Sequence, residues 1–399
     1  MSHCEVHSGV GRRKMLEALD YWMNTDGEID VEYNAMEEVE ISDSVKHELC
    51  GLQDIRGTIQ RLAAGETMDD IQLFEIKHLT RIAKAINMFE IAEVLEILDP
   101  NHEDIDTFYI YDAYDGRLPE LRRQYKADND PETLAQVMEV EDEVRMKLSK
   151  SLQRFAEKLS ETLEGLGMLD FRIAKLEMAD ALGLIRPEIS ANDWHFKALV
   201  NLEVREAITD RYQPIDIDFE ANPTIITGMN MGGKTVLIKS IGMAQEMLQH
   251  GFLVPASEAR MALVDRVLYS IDDNQSATDG LSSFAAEMTC IDNIITTITK
   301  CRNNLVLVDE LARTTNPAEG RLIVNRVVRL LDGVPAFITT HYDGIEGDVR
   351  RLRVRGLNSS FEGDWRDAID YRLVETTADE VPHEAFRVAK AMGIDWLEE

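Results

Sequence analysis

The sequence predicts a two-part fold. An all-α domain occupies residues 1–190, and an α/β domain with a mostly parallel, helix-flanked sheet occupies residues 191–399. Three observations predict it. The first half reads as one helix after another, with apolar residues at three- and four-residue spacing. The second half alternates short apolar runs with helical stretches, the pattern of buried parallel strands joined by crossover helices. The composition, 44% hydrophobic over 399 residues, suits a folded chain of two domains and is too apolar for a disordered one.

In the first half, helices are expected at Arg13–Met23, Asp43–Ala63, Met68–Ile97, Pro131–Leu166 and Leu169–Leu182. In the Asp43–Ala63 stretch, Val45, Leu49, Leu52, Ile55, Ile59 and Leu62 form one apolar stripe. The Pro131–Leu166 stretch meets no glycine before Gly165, and its Val137, Val140, Val144, Leu148, Leu152, Phe155 and Leu159 fall near heptad spacing, the mark of helices packed side by side. The aromatic, polar segment Asp99–Tyr114 reads as a loop or short hairpin. In the second half, Pro223–Thr227, Asn304–Val308 and Val334–Thr340 are bounded by turn residues and read as strands. Lys234–His250, Phe284–Thr299 and Gly320–Leu331 are the covering helices. A last strand is expected at Asp370–Glu375 and a last helix at Pro382–Met392.

The chain carries 42 Lys+Arg against 74 Asp+Glu, a net charge of -32. Residues 1–190 hold 21 basic and 41 acidic residues, a net of −20, and the rest carries −12. Phosphate backbones are held by basic surfaces, so this balance disfavours nucleic acid as a partner. The basic cluster Arg350, Arg351, Arg353 and Arg355 reads as a solvated or salt-bridged patch, with a polyanion contact or an intersubunit role as alternatives. No apolar segment is long enough to span a membrane, and the polar N-terminus lacks a signal-peptide core. The four scattered cysteines contain no C-x-x-C pair and predict a reducing, cytoplasmic setting.

The most specific local feature is Gly228-Met229-Asn230-Met231-Gly232-Gly233-Lys234-Thr235, which fits G-x-x-x-x-G-K-[ST] between an expected strand and an expected helix. The glycines let backbone amides curl around a phosphate, and the helix N-terminus adds its dipole. Lys234 is expected on the β/γ-phosphates and Thr235 on Mg²⁺. Roughly 75 residues on, the strand Leu305–Val308 ends in Asp309-Glu310. Asp309 is the expected Mg²⁺ partner and Glu310 the group that orients and polarises the attacking water. Together the two motifs predict a P-loop domain that binds and hydrolyses ATP.

Six segments then fall in a telling order: GMNMGGKT, GFLVPA at 251–256, GLSSFAAEM at 280–288, LVLVDE, LARTT at 311–315, and TTHY at 339–342. Together they resemble the ATPase domain of the MutS family of DNA mismatch-repair proteins, a branch of the ABC-type ATPases. The helical series from about Gly11 to Ile185 looks like that family's lever and core helices. The resemblance implies composite sites in a homodimer or with a MutS-like partner subunit. Asn230 would contact nucleotide or the opposed subunit. Ser282 and Ser283 would reach the γ-phosphate held by that subunit, and His341 would sense the γ-phosphate from a strand end.

The chain also departs from the family pattern. Ala312-Arg313-Thr314-Thr315 replaces Gly-Arg-Gly-Thr, which implies a stiffer loop. Asp210 stands where an adenine-stacking aromatic is usual, with Tyr212 as the nearby substitute. The mismatch-reading and connector domains are missing from the expected layout, and the helical half is the more acidic. Two functions follow. One is a DNA-directed MutS-type ATPase whose helical arms grip DNA. The other is a short MutS-like ATPase with a protein client, similar to factors that reactivate cobalamin-dependent aminomutases.

Overall fold

The structure, a computed structural model of the chain, describes residues 3–87, 91–103, 105–208, 212–228, 233–271, 283–313, 315–347, 349–357 and 369–377. It separates into two compact units, Met1–Tyr21 with Ala35–Met178, and Trp22–Asn34 with Ala179–Glu399. Among the described residues no helix is long and apolar enough to cross a membrane.

The first unit is helical. In chain order its helices are α1 Gly9–Asp20, α2 Asp26–Glu37, α3 Asp43–Cys50, α4 Arg56–Ala63, α5 Asp70–Ile86, α6 Ala92–Leu98, α7 Leu118–Asp128, α8 Pro131–Leu152 and α9 Ala156–Leu182. The second unit takes most of α2, up to Asn34, and the end of α9, from Ala179. Local chemistry sets the ends. Asp69 and Gln72 form a reciprocal capping box on α5, and Asn87 closes that helix in the left-handed conformation. Asp130 caps α8, whose first position is Pro131. Leu73, Ile76, Val144, Leu148, Leu152, Leu159, Leu163 and Leu166 meet in one buried core.

The division between α8 and α9 differs from the sequence expectation. The break is a 3-10 turn at Gln153–Phe155, and α9 runs straight through Gly165. Glycine here serves packing rather than termination. A Cβ on Gly167 would lie 2.5 Å from Val10 Cγ1, so α1 and α9 approach too closely for any side chain. A similar approach occurs at Gly11, where a Cβ would overlap the carboxylate of Asp170. That fully buried carboxylate accepts from the His7 and Ser8 amides at 2.9 and 2.8 Å and from the Ser8 hydroxyl, and Ser8 in turn caps α1. The Asp99–Tyr114 segment contains a 3-10 turn at Asp112–Tyr114. It is tied down by buried Lys77, which donates to the Thr107 carbonyl and the Tyr111 hydroxyl, both at 3.1 Å.

Among the described residues the second unit contains two sheets. Strands β1 Glu188–Ser190, β2 Asp193–Leu199, β3 Ile215–Glu220 and β5 Glu258–Ala262 form a mixed sheet in the order β1-β5-β2-β3. The short helix α10, Leu202–Ile208, lies between β2 and β3 in the chain. Strands β4 Pro223–Thr227, β6 Arg266–Ser270, β7 Asn304–Val308, β8 Ala336–Thr339, β9 Arg350–Leu357 and β10 Ile369–Glu375 form the larger sheet, ordered β10-β9-β4-β8-β7-β6. All neighbours in it pair parallel except β10 with β9. β4, β7 and β8 are buried at every position, as expected for strands covered on both faces. The covering helices are α11 Lys234–Gln249, α12 Ser283–Lys300 and α13 Pro317–Leu330. The helix expected at Pro382–Met392 lies outside the described residues.

The arginine cluster lies on β9. Arg350 pairs with Glu375 at 2.8 Å and Arg355 with Asp370 at 3.3 Å. Arg351 donates to the carbonyls of Val349, Ile345 and Gly347. Arg353 keeps a buried Nε with no hydrogen-bond partner among the described residues.

Candidate nucleotide site

The site lies where β4, β7 and β8 end, because parallel strands deliver their following loops to one edge of the sheet. β4 leads to Gly228 at φ 136°, and Gly233 stands at φ 73° as the cap of α11. Both values suit only glycine without strain. Space is equally restrictive, since a Cβ on Gly233 would lie 3.0 Å from the Tyr371 ring.

Lys234, at the first position of α11, is buried and donates from Nζ to the Gly228 carbonyl at 2.8 Å. Burial pulls its pKa down, opposed by the carboxylates of Glu310 and Asp309. Thr235 donates its hydroxyl to Asp309 Oδ2 at 2.6 Å. The other oxygen of Asp309 accepts from the Thr339 hydroxyl at 2.6 Å, and Thr339 Oγ1 accepts the Glu310 amide at 2.7 Å. One threonine at the end of β8 therefore orients both acids at the end of β7.

Glu310 lies at φ 48° and Ala312 at φ 63°, left-handed positions that cost a non-glycine residue roughly 1–3 kcal/mol each. Arg313 donates to Glu310 Oε2 at 2.8 Å. His341 follows β8 within the fields of Glu310, Lys234 and Arg313. Desolvation lowers its pKa below the ordinary value, Glu310 opposes this, and Lys234 and Arg313 add to it.

The described residues thus gather Gly228, Gly233, Lys234, Thr235, Asp309, Glu310 and His341 of the expected set. Met229, Asn230, Met231, Gly232 and Ser282 lie outside them, as do Asp210 and Thr314. Ser283 is described only as the first residue of α12. Tyr212 is half-buried, and its hydroxyl accepts the Asn201 amide at 2.6 Å. The motif reading gave no role to Thr339, Tyr342, Glu287 or Tyr371. A threonine closing an apolar strand was the available signal for Thr339. Tyr371 has no sequence signal, because only strand pairing far along the chain brings it to Gly233.

The donor set suits a magnesium nucleotide. A buried ammonium and glycine-only backbone fit phosphate, and a threonine hydroxyl with a carboxylate is a hard-oxygen pair of the kind Mg²⁺ takes. A cleft of about 950 Å³ lies elsewhere, where β4 and β9 begin, and three of its arginines are already paired, Arg260 with Asp193, Arg329 with Glu346 and Arg350 with Glu375. It has no part in the phosphate end of the sheet.

Known proteins show the same relationship. The family model described as MutS domain V matches residues 224–373. Endonuclease MutS2 of Thermus thermophilus is 33% identical over 236 residues, 56% of this chain and 31% of that protein. Endonuclease MutS2 of Caldanaerobacter subterraneus subsp. tengcongensis is 30% identical over 277 residues, 62% of this chain and 34% of that protein. The protein of that name from Ligilactobacillus salivarius is 33% identical over 259 residues, 62% and 32% of the two chains. The chain spans about a third of the length of these curated relatives.

Proposed function

From the likeness of residues 224–373 to MutS domain V, we propose that this chain is a MutS-type ATPase that binds and hydrolyses ATP with Mg²⁺ at composite sites formed by two subunits. The observation that carries the reading is the Thr235–Asp309–Thr339–Glu310 chain of hydrogen bonds beside buried Lys234. Lys234 and the α11 N-terminus neutralise the phosphates. Thr235 and Asp309 would hold Mg²⁺, which when bound supplies positive charge to the phosphate oxygens. Glu310 orients the attacking water and takes up its proton. Neutral His341, which feels the charge of Glu310, reports on the terminal phosphate. Tyr371, beside Gly233, forms a wall of the nucleotide site.

Ser282 and Ser283 at the start of α12 are proposed to reach the nucleotide of the opposed subunit, so that binding closes a dimer and turnover reopens it, moving the helical unit. The partner is a second copy or a MutS-like subunit. The net charge of −20 over residues 1–190 favours a protein client over DNA for the work done. The nuclease activity in the relatives' names is that of those proteins. Sedimentation of Glu310→Ala with saturating MgATP tests the composite site. The expected species is a dimer that dissociates when ATP is removed, and a monomer at every ATP concentration would overturn it.

A further inference from the structure

The backbone of Ala312 is held on both sides of its Cα. Its amide donates to Glu287 Oε1 at 2.6 Å, and its carbonyl accepts from the Tyr342 hydroxyl at 2.7 Å. Glu287 lies one turn into α12, four residues after Ser283. Tyr342 directly follows His341, and Ala312 lies two residues after Glu310. Ala312 is completely buried, Tyr342 nearly so, and a Cβ on Gly320 of α13 would overlap the Tyr342 hydroxyl, which leaves the ring no room to swing. Three segments of the site therefore meet at one residue in the left-handed conformation.

We infer that Glu287 is a positioning residue for ATP hydrolysis: by holding the Ala312 amide it fixes the backbone that aims Glu310, and so joins the start of α12 to the hydrolytic loop. The inference rests on the hydrolysis reading above. Its physical basis is that a buried amide must keep a partner. A carboxylate is a strong acceptor, so a shift of α12 carries the Ala312 peptide with it. The φ angles at Glu310 and Ala312 are uncommon for these residue types and persist only while their surroundings hold them. Removing the Glu287 acceptor frees the loop to relax, and the Glu310 carboxylate leaves its aim while Lys234, Gly228 and Gly233 are untouched.

The test compares Glu287→Ala, Glu287→Gln and Glu310→Ala with wild type in steady-state MgATP hydrolysis, alongside thermal melts. The expected result for Glu287→Ala is kcat lower by roughly 10- to 100-fold with KM for ATP within about twofold of wild type, since a misplaced catalytic group costs turnover rather than binding. Glu287→Gln keeps an acceptor oxygen and recovers most of that loss. Turnover of Glu287→Ala at the wild-type rate, or equal losses in the Ala and Gln variants, would overturn the inference. Glu310→Ala separates the two levels. If it hydrolyses ATP like wild type, the underlying reading is wrong, whereas an inactive Glu310→Ala beside an unimpaired Glu287→Ala sinks only the role of Glu287. Should Glu287→Ala fail to fold, Tyr342→Phe takes its place. It frees the carbonyl of the same residue, with the same fall in kcat at constant KM expected and an unchanged kcat contradicting it.

Discussion

His341 carries the most direct electrical readout of the site. Desolvation holds its pKa below 6.5, so the imidazole is mostly neutral at pH 7 and charges only in more acidic solution. The Glu310 carboxylate works against that shift, and Arg313 works with it. Removing Glu310 therefore lowers the titration midpoint of His341 further, while Arg313→Ala raises it. Nuclear magnetic resonance titration of the imidazole in the two variants checks both signs, and movement in the same direction would show that Glu310 and Arg313 do not face His341. The same scale shows what the motifs concealed. Lys234, Thr235, Asp309 and Glu310 were legible because each occupies a fixed offset in a short pattern. Thr339 and Glu287 were not, because their work is done by hydrogen bonds to residues 30 and 25 positions away.

Glycine is the element-scale counterpart. Periodicity located the long helices of the first unit, but a glycine in a helical pattern reads alike whether it ends the helix or lets another helix approach. Gly167 is of the second kind. Gly167→Ala raises helix propensity by about 1 kcal/mol. The added Cβ must displace Val10, an overpacking cost of roughly 1–3 kcal/mol. Net destabilisation is expected in urea denaturation, and a stabilised variant would mean that α1 does not approach α9 this closely. Gly11→Ala is expected to cost more, about 2–4 kcal/mol, because it forces the buried Asp170 carboxylate away from the Ser8 amide and hydroxyl that it accepts. In the second unit the parallel strands were legible as apolar runs. The mixed sheet leaves a fainter signal, the strict alternation of Ile215, Ile217 and Phe219 with acids, which is the period of a half-buried strand.

At the scale of the whole molecule, charge and family point in different directions. Likeness to MutS domain V over residues 224–373 meets a net charge of -32. The arginines of β9 do little to relieve it, since Arg350 and Arg355 are spent on Glu375 and Asp370. DNA binding is therefore expected to be weak, with Kd no tighter than about 1 μM near physiological salt. A mobility-shift titration giving nanomolar, steeply salt-dependent affinity for branched or mismatched DNA would contradict the preference for a protein client. ATP hydrolysis stands apart from that choice, since both clients require it. The central claim is tested most directly by phosphate release from saturating MgATP, measured for wild type and for Glu310→Ala, with ATP binding measured on the same samples. Steady turnover is expected of wild type, and loss of turnover with retained ATP binding of the variant. Equal turnover in the two, or none in wild type despite bound MgATP, would contradict it.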